Sequence, residues 1–548
     1  MSAVKKVRSG VKKNTPLEHI CEIIWDLLDI VVSLYMVALM VMLPLYSTEA
    51  GYRSIGTDKC MLFRSVSLLA CKVVLPLTAL YLLSLALRRL RPGSQDKRRM
   101  PSVSVTDLFA LVYLAAVVCS YLHSSFREKT EWGDAFYGVS GWYLGLLTQL
   151  LFLGIYFAVS RLWQRKDWLI GLWIPTIAVV TLLGYLNRFG IYPLEMKASG
   201  PQYISTIGNI NWYCGYIVTI LSGVAYYLWQ GKGCAKKKWM NIAAILFLGV
   251  GLASLVTQGS SSGIVTLLLL LGVFYLLSMR DEEKLQRFFG GCILLSGVCI
   301  FTCLIRQIWP QAINYIESTT DMLTMSPLPF LMLGVSLLCW FLICRSRRAG
   351  RFRARGWTLL GLAAWTGAGV AVVVYVILLA VNTRYPGSIG SLAELETFTF
   401  NASWGSNRGI TWTAGLTCFL DQDLAGKLLG VGPDTMALYI RSGADPELKQ
   451  MVEDYFGRLM LTNAHNEWLT VLVNEGLLGA VGYIGLMVTA ICRYLRAGRK
   501  DAMAGAMGMG ILAYTLNNIF SFQQVMGTSA VFLILGIGEA CLRRDSKV

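Results

Sequence analysis

Apolar runs of roughly 18 or more residues recur along almost the whole chain, and nothing else in the sequence narrows the possible folds as far. Hydrocarbon holds no water to satisfy backbone N–H and C=O groups, so a run of that length closes its hydrogen bonds within itself as a helix. Composition agrees. Charged residues make up 15% of the 548 and hydrophobic ones 55%, where a soluble chain carries about 25% charged residues. The expected fold is an all-α polytopic membrane protein with about 14 transmembrane helices. Hydropathy places them at approximately 20–46, 62–87, 105–122, 142–160, 169–187, 212–230, 240–256, 263–279, 288–305, 329–345, 357–381, 477–494, 502–520 and 526–541. The seventh and eighth are joined by "QGSSSG", a hairpin of turn residues.

The formal net charge is +17. Lys and Arg gather in "RRLRPGSQDKRR", "RLWQRKD", "GKGCAKKK", "RDEEKLQR", "RSRRAGRFRARG", "RYLRAGRK" and the C-terminal "RRDSKV". With these spans all seven fall on one side, the pattern of cytoplasmic loops, so both termini are expected in the cytoplasm. The charge then reads as membrane orientation, with no nucleic-acid partner. After the basic N-terminus (Lys5, Lys6, Arg8, Lys12, Lys13) the first apolar run is too long for a signal-peptide core and reads as a retained span. Most cysteines, Cys71, Cys119, Cys292, Cys299 and Cys303 among them, lie in or beside apolar runs as small hydrophobes, and no CxxC pair suggests a zinc or redox site. Asp29 and Lys72 fall inside the first two spans at similar expected depth, which predicts a buried ion pair between them.

One stretch breaks the rhythm. The chain divides into a membrane body (1–381), a long extracytoplasmic loop between spans eleven and twelve (382–476), and a last group of spans with a cytoplasmic tail (477–548). The loop carries Trp404, Trp412, Tyr439, Phe456 and Trp468, so it is expected to fold, partly as helix, and to pack on the membrane body; loops of this length are usually functional. "NRGITWTAGLTCFL" places Ile410, Leu416 and Phe419 at near-helical spacing, an amphipathic helix on the outer membrane surface. Ser406 or Asn407 is expected to cap it, leaving Arg408 at a helix N-terminus beside free N–H groups. A planar guanidinium there suits a phosphate oxygen; an ordinary loop arginine is the other reading. "GVGPDTMALYIRSG" reads as a structural turn with Pro433 at a helix start. "DQD" (Asp421–Asp423) has the form of a metal–nucleotide-sugar motif, but three residues are a weak match and lie on the side where nucleotide sugars are absent.

One of only three histidines stands in "LTNAHNEWLTVLVNEGLLG". A helix capped by Asn463 is expected to hold His465 in its first turn, where the helix dipole favours neutral imidazole, the form a general base needs. A loop histidine satisfied by a partner is the alternative.

The run His465-Asn466, nine residues, then Gly476, Leu477, Leu478, Gly479 resembles the signature of the O-antigen ligase and polymerase superfamily. Ala480 departs from the residue that usually follows. "RGITW" (Arg408–Trp412), the turn "LLGVGPDTM" and "STIGNINWY", with Asn209 and Asn211, resemble further family segments in the same order. Many members carry an arginine in the short outer hairpin; here Ser262 holds that place, and Arg188, Arg306 or Arg384 is expected to supply the phosphate contact. The resemblance, clearest over residues 205–480, implies a bacterial inner-membrane glycosyltransferase of cell-surface polysaccharide biosynthesis. It moves a glycan from polyprenyl diphosphate to a hydroxyl of a glycan or glycolipid acceptor, with inversion and without metal or cofactor. His465 is the implied base and Arg408 the diphosphate ligand, with Asn466, Arg384, Arg188, Asn209 and Asn211 as substrate-binding residues. A lipid-linked oligosaccharide flippase or other transporter is the alternative; such a protein is expected to show a broken-helix midplane site with charges in its spans, which are few here.

Overall fold

The computed structural model describes residues 16–90, 103–200, 202–231, 238–311, 313 and 318–545. The basic N-terminus, the linker from 91 to 102, most of "GKGCAKKK" and the end of the tail lie outside them. The chain is an all-α polytopic membrane protein. Among the described residues, eleven helices are long and apolar enough to cross a membrane, from Pro16–Leu45 to Val525–Arg543. The three other expected spans correspond to Leu146–Leu162, Ile210–Gln230 and Ala502–Asn517, which are not among the eleven. The only strands described are two pairs of two residues each, Gly133–Asp134 with Gly138–Val139 and Tyr203–Ile204 with Gly208–Asn209.

Small residues set the packing. Helix Glu467–Ala497 lies along Val105–His123, and a Cβ on Gly482 would stand 2.7 Å from the Tyr113 nitrogen. Ala502–Asn517, begun by "AMAGAMGMG", packs on Ile210–Gln230 in the same way. In lipid the hydrophobic effect does not drive helices together, so close backbone approach and dispersion do. Val525–Arg543 is the centre of the bundle, 94% buried over its apolar window, whereas Ala354–Arg384 is peripheral at 0%.

Buried ion pairs gather at the end of the bundle that carries "RLWQRKD". Asp107 accepts from Arg161 (2.6 Å), Arg543 (2.8 Å) and Tyr156 (2.7 Å). Glu539 binds Arg493 at 2.6 Å. The Asp29–Lys72 pair does not form. Asp29 lies 2.5 Å from Lys166 and takes the Gln164 N–H at 2.7 Å, while Lys72 is exposed on its helix. A pair needed both side chains to face inward, and only Asp29 does.

At the opposite end, helices Trp404–Asp421, Leu424–Leu429, Met436–Ser442 and Pro446–Phe456 fold around a small core of Ala414, Cys418, Met436, Ile440, Leu448 and Val452. Ile410, Leu416 and Phe419 do not share one face. Ile410 is buried, and the side of Trp404–Asp421 turned to an apolar groove carries Trp412, Thr413, Leu416 and Leu420.

Lys166→Met should lower the thermal midpoint of the detergent-solubilised protein, by the equivalent of about 1.5–3 kcal/mol for a lost hydrogen bond to a charged group. Lys72→Met should leave it unchanged. Equal effects of the two would return Asp29 to Lys72.

Candidate functional site

His465 stands outside the helix that was expected to hold it. The cap is Asn466, whose side chain accepts from the Leu469 N–H at 3.0 Å, and helix Glu467–Ala497 begins one residue later. Asn463 instead takes the His465 N–H at 3.0 Å and holds the residue at φ +48 just before the helix. Both residues are asparagines, three positions apart, and local pattern offers no means of choosing between them. The imidazole meets the edge of Phe522, ring centres 4.9 Å apart. Burial, and then the charge of Arg408, push it down to about 4. It is therefore neutral at pH 7, with burial as the first cause.

Arg408 is held by carbonyl oxygens: Gly405 takes Nη1 at 2.6 Å, and Phe520 takes Nη2 at 2.9 Å and Nε at 3.3 Å with its ring 5.7 Å from the guanidinium. Neither Ser406 nor Asn407 caps this helix. Gly405, Ser406 and Asn407 are all left-handed, at φ 61, 60 and 69. The Ile410 N–H, one of the donors expected to be free, is spent on Ala402 O at 3.0 Å. Trp412 lies between Trp404 and Phe520.

Phe520 and Phe522, which seat both residues, belong to the link between Ala502–Asn517 and Val525–Asp545. That link is fixed by a residue sequence reading missed. Glu467, 0% exposed, accepts from the hydroxyls of Tyr483 (2.5 Å) and Tyr514 (2.8 Å) and from the Asn518 amide, and its N–H donates to Asn518 O at 2.9 Å. The available signal was a carboxylate two residues after His465 together with the polar cluster "NNIFSFQQ" between two apolar runs.

A second cluster stands nearby. Asn209 caps Ile210–Gln230, accepting from Asn211 N at 2.8 Å, and Asn211 accepts from Ser260 Oγ, also at 2.8 Å. Ser260 is 3.0 Å from Ser262 in the hairpin. Arg188, 2% exposed, donates to the Gln258 side chain and, at 3.3 Å, to Gln258 O. Of the three candidate arginines, Arg188 is the one whose guanidinium bonds to this hairpin. Arg306 pairs with Asp321 at 2.6 Å, and Arg384 ends its helix exposed. Ring contacts join the clusters: Trp212 to Trp142 at 5.5 Å, Trp142 to Phe522 at 5.1 Å, then Phe522 to His465.

The remaining motifs are structural. Asp421 accepts from the Tyr439 hydroxyl at 2.5 Å and Asp423 caps the next helix. Pro433 lies in the turn, and its helix starts at Met436. Asp434 receives the Val139 and Leu144 N–H groups at 2.9 and 2.8 Å, and burial pushes its carboxyl up to about 7. Behind His465, a cavity of about 20 Å³ is lined by Asp434, Glu467, Glu475, Gln149 and Gln523, room for about one water. Beside Asn466 and Trp412 runs an apolar groove of about 1050 Å³, floored by Leu477, Val481, Ile484 and Val488 of the long span.

No protein-family model matches the chain, and no curated protein matches it. The class therefore rests on fold and geometry: an integral membrane protein of helices, with a histidine and an arginine seated on one short link and their neighbours Asn466 and Trp412 lining an apolar groove.

Gly476 bends helix Glu467–Ala497 at φ 67, ψ −169, and a Cβ there would lie 2.5 Å from the Leu428 carbonyl and 2.6 Å from Gly430 N. Gly476→Ala should cost more than about 3 kcal/mol, through positive φ and steric overlap together. A wild-type melting profile for the variant would contradict this account of the bend.

Proposed function

We propose that the protein is an O-antigen ligase- or polymerase-like glycosyltransferase, moving a glycan from polyprenyl diphosphate to an acceptor hydroxyl. The observation that carries the reading is the pairing of a neutral, half-buried His465 with Arg408 on one short seat, Phe520–Phe522, while Asn466 and Trp412, the next residue and the next turn, line an apolar groove. In this reading Leu146–Leu162, Ile210–Gln230 and Ala502–Asn517 complete fourteen spans. The basic loops and both termini face the cytoplasm, and segment 382–476 faces outward from a bacterial inner membrane.

The chemistry follows from the side chains. The donor tail lies in the groove, whose polar mouth holds Asn466, and its diphosphate meets Arg408. Arg188, bonded to Gln258 of the hairpin, takes the part of the arginine that Ser262 replaces, with Asn209 and Asn211 shaping that wall. His465 accepts the proton of the acceptor hydroxyl as its oxygen attacks the anomeric carbon. The bond from that carbon to the diphosphate oxygen breaks, the electron pair leaves with the diphosphate, and attack from the opposite face inverts the centre. Arg408 supplies the positive charge that stabilises the leaving group, so no metal is invoked. Anionic donor beside Arg408 also cancels its push on the imidazole, making His465 a stronger base only once the donor is in place.

Three outcomes follow. His465→Ala should lower transfer roughly 10²–10⁴-fold with normal membrane insertion, the usual worth of a general base; full activity in a glycan-transfer assay removes His465 from that role. The base works above its pKa, so activity falls as pH drops through that value. The acid limb of kcat/KM, which reads the free protein, should lie well below the ordinary histidine value of about 6.5, and that of kcat should lie higher because bound donor neutralises Arg408. Coincident limbs near 6.5 would contradict the coupling. Arg408→Lys should weaken donor binding, since an ammonium cannot reproduce the planar fork; unchanged donor KM would make Arg408 an ordinary structural residue.

A further inference from the structure

A cleft of about 670 Å³ lies between Ala402 and Ile410, which bracket Arg408 in sequence, and helix Pro446–Phe456 of segment 382–476. One wall is helix Pro446–Phe456, set by the Asp445 side chain, which accepts from the Glu447 and Leu448 N–H groups at 2.9 and 3.0 Å. Leu448 and Val452 turn inward to the shared core. Glu447, Gln450 and Asp454 recur at helical spacing on another face and line the cleft, with Tyr455 at its edge. Gln450 donates to Asp454 at 2.6 Å. Met451 and Ile410 give it an apolar floor, and Tyr455, 39% exposed, gives an aromatic edge.

The other wall is Ala402 and Ile410, which flank the left-handed Gly405, Ser406 and Asn407 at the start of helix Trp404–Asp421. The Tyr455 hydroxyl donates to Asn407 Oδ1 at 2.7 Å, and Arg408 follows directly and bonds back to Gly405 O. The cleft and the arginine are therefore separated by one turn of backbone. Its volume falls within the range of small-molecule sites. Carboxylate and amide oxygens accept sugar hydroxyls, and an apolar floor with an aromatic edge takes the C–H face of a sugar ring. Among the described residues, the charged groups lining it are Glu447 and Asp454, both acidic.

We propose that this cleft is the acceptor subsite, and that it takes a glycan of uncharged or amino-bearing sugars and rejects an acidic one. This rests on the transferase reading: the acceptor's terminal hydroxyl leaves the cleft past Asn407 toward His465. Two carboxylates facing the ligand favour cationic sugars and repel carboxylates or phosphates by charge alone.

The test uses the full-length protein in detergent and two soluble probes of equal length, a chitosan oligosaccharide and an oligogalacturonate, with binding read by saturation-transfer NMR. The chitosan probe should bind at least about 5-fold more tightly than the galacturonate, and the E447Q/D454N variant should erase most of that preference. Both positions are exposed, so the variant should fold; a wild-type thermal midpoint verifies it. Equal binding of the two probes, binding of neither, or a preference untouched in the variant overturns the proposal. Any of these in a protein that still transfers glycan sinks the cleft and spares the transferase reading. Charge-selective binding in a protein that releases no polyprenyl diphosphate sinks that reading and the acceptor role with it.

Discussion

A carboxylate at the head of a membrane span is tolerated only if its surroundings supply donors. Glu467 has them from three directions: Tyr483 on its own helix, Tyr514 on the neighbouring helix, and Asn518 at the start of the following link. A buried carboxyl stripped of such partners would bear a desolvation cost of about 1–3 kcal/mol, so the three donors hold the node together. It fixes the link in which Phe520 carries Arg408 and Phe522 carries His465. Two residues far apart in sequence are thus held by one short stretch, and that stretch is held by Glu467.

The long segment is locked to the bundle by backbone carbonyls and N–H groups, met by other backbone groups and by a few side chains. Val431 and Gly432 donate to the carbonyls of Val473 and Asn474 at 3.1 and 3.0 Å, just before the bend at Gly476. Ser120 and Ser124, on and just after a neighbouring span, donate to Asn474 O and Val431 O, both at 2.6 Å. Asp434 clasps the loop after Gly138, and Arg64 holds the same loop through the carbonyls of Tyr137 (2.6 Å) and Tyr143 (2.9 Å). Trp142, which leads the ring contacts toward His465, rides on that loop. The segment that a hydropathy profile shows as an interruption is thus hydrogen-bonded to the spans at several points.

Hydropathy alone made the helical body legible, because in lipid each span must satisfy its own backbone whatever its neighbours do. Partners were not legible. Nothing near Asp29 names Lys166, 137 positions away, and the Lys72 reading failed because depth along a helix says nothing of which way a side chain faces. The same limit hid Phe520 and Phe522, which meet the histidine and arginine only after the last two spans fold back. His465 and Arg408 stood out through motif spacing, but their local frames did not. The helix start moved from Asn463 to Asn466, and the expected cap of Arg408's helix proved to be three left-handed residues.

The account turns on whether the site makes and breaks a glycosidic bond. The direct measurement is reconstitution of the purified protein in liposomes without any ion gradient, with a labelled polyprenyl-diphosphate glycan and an acceptor glycan on the same face. One polyprenyl diphosphate released for each new glycosidic bond is the predicted result. Donor that crosses the bilayer intact, with no release, would contradict it and make the protein a transporter.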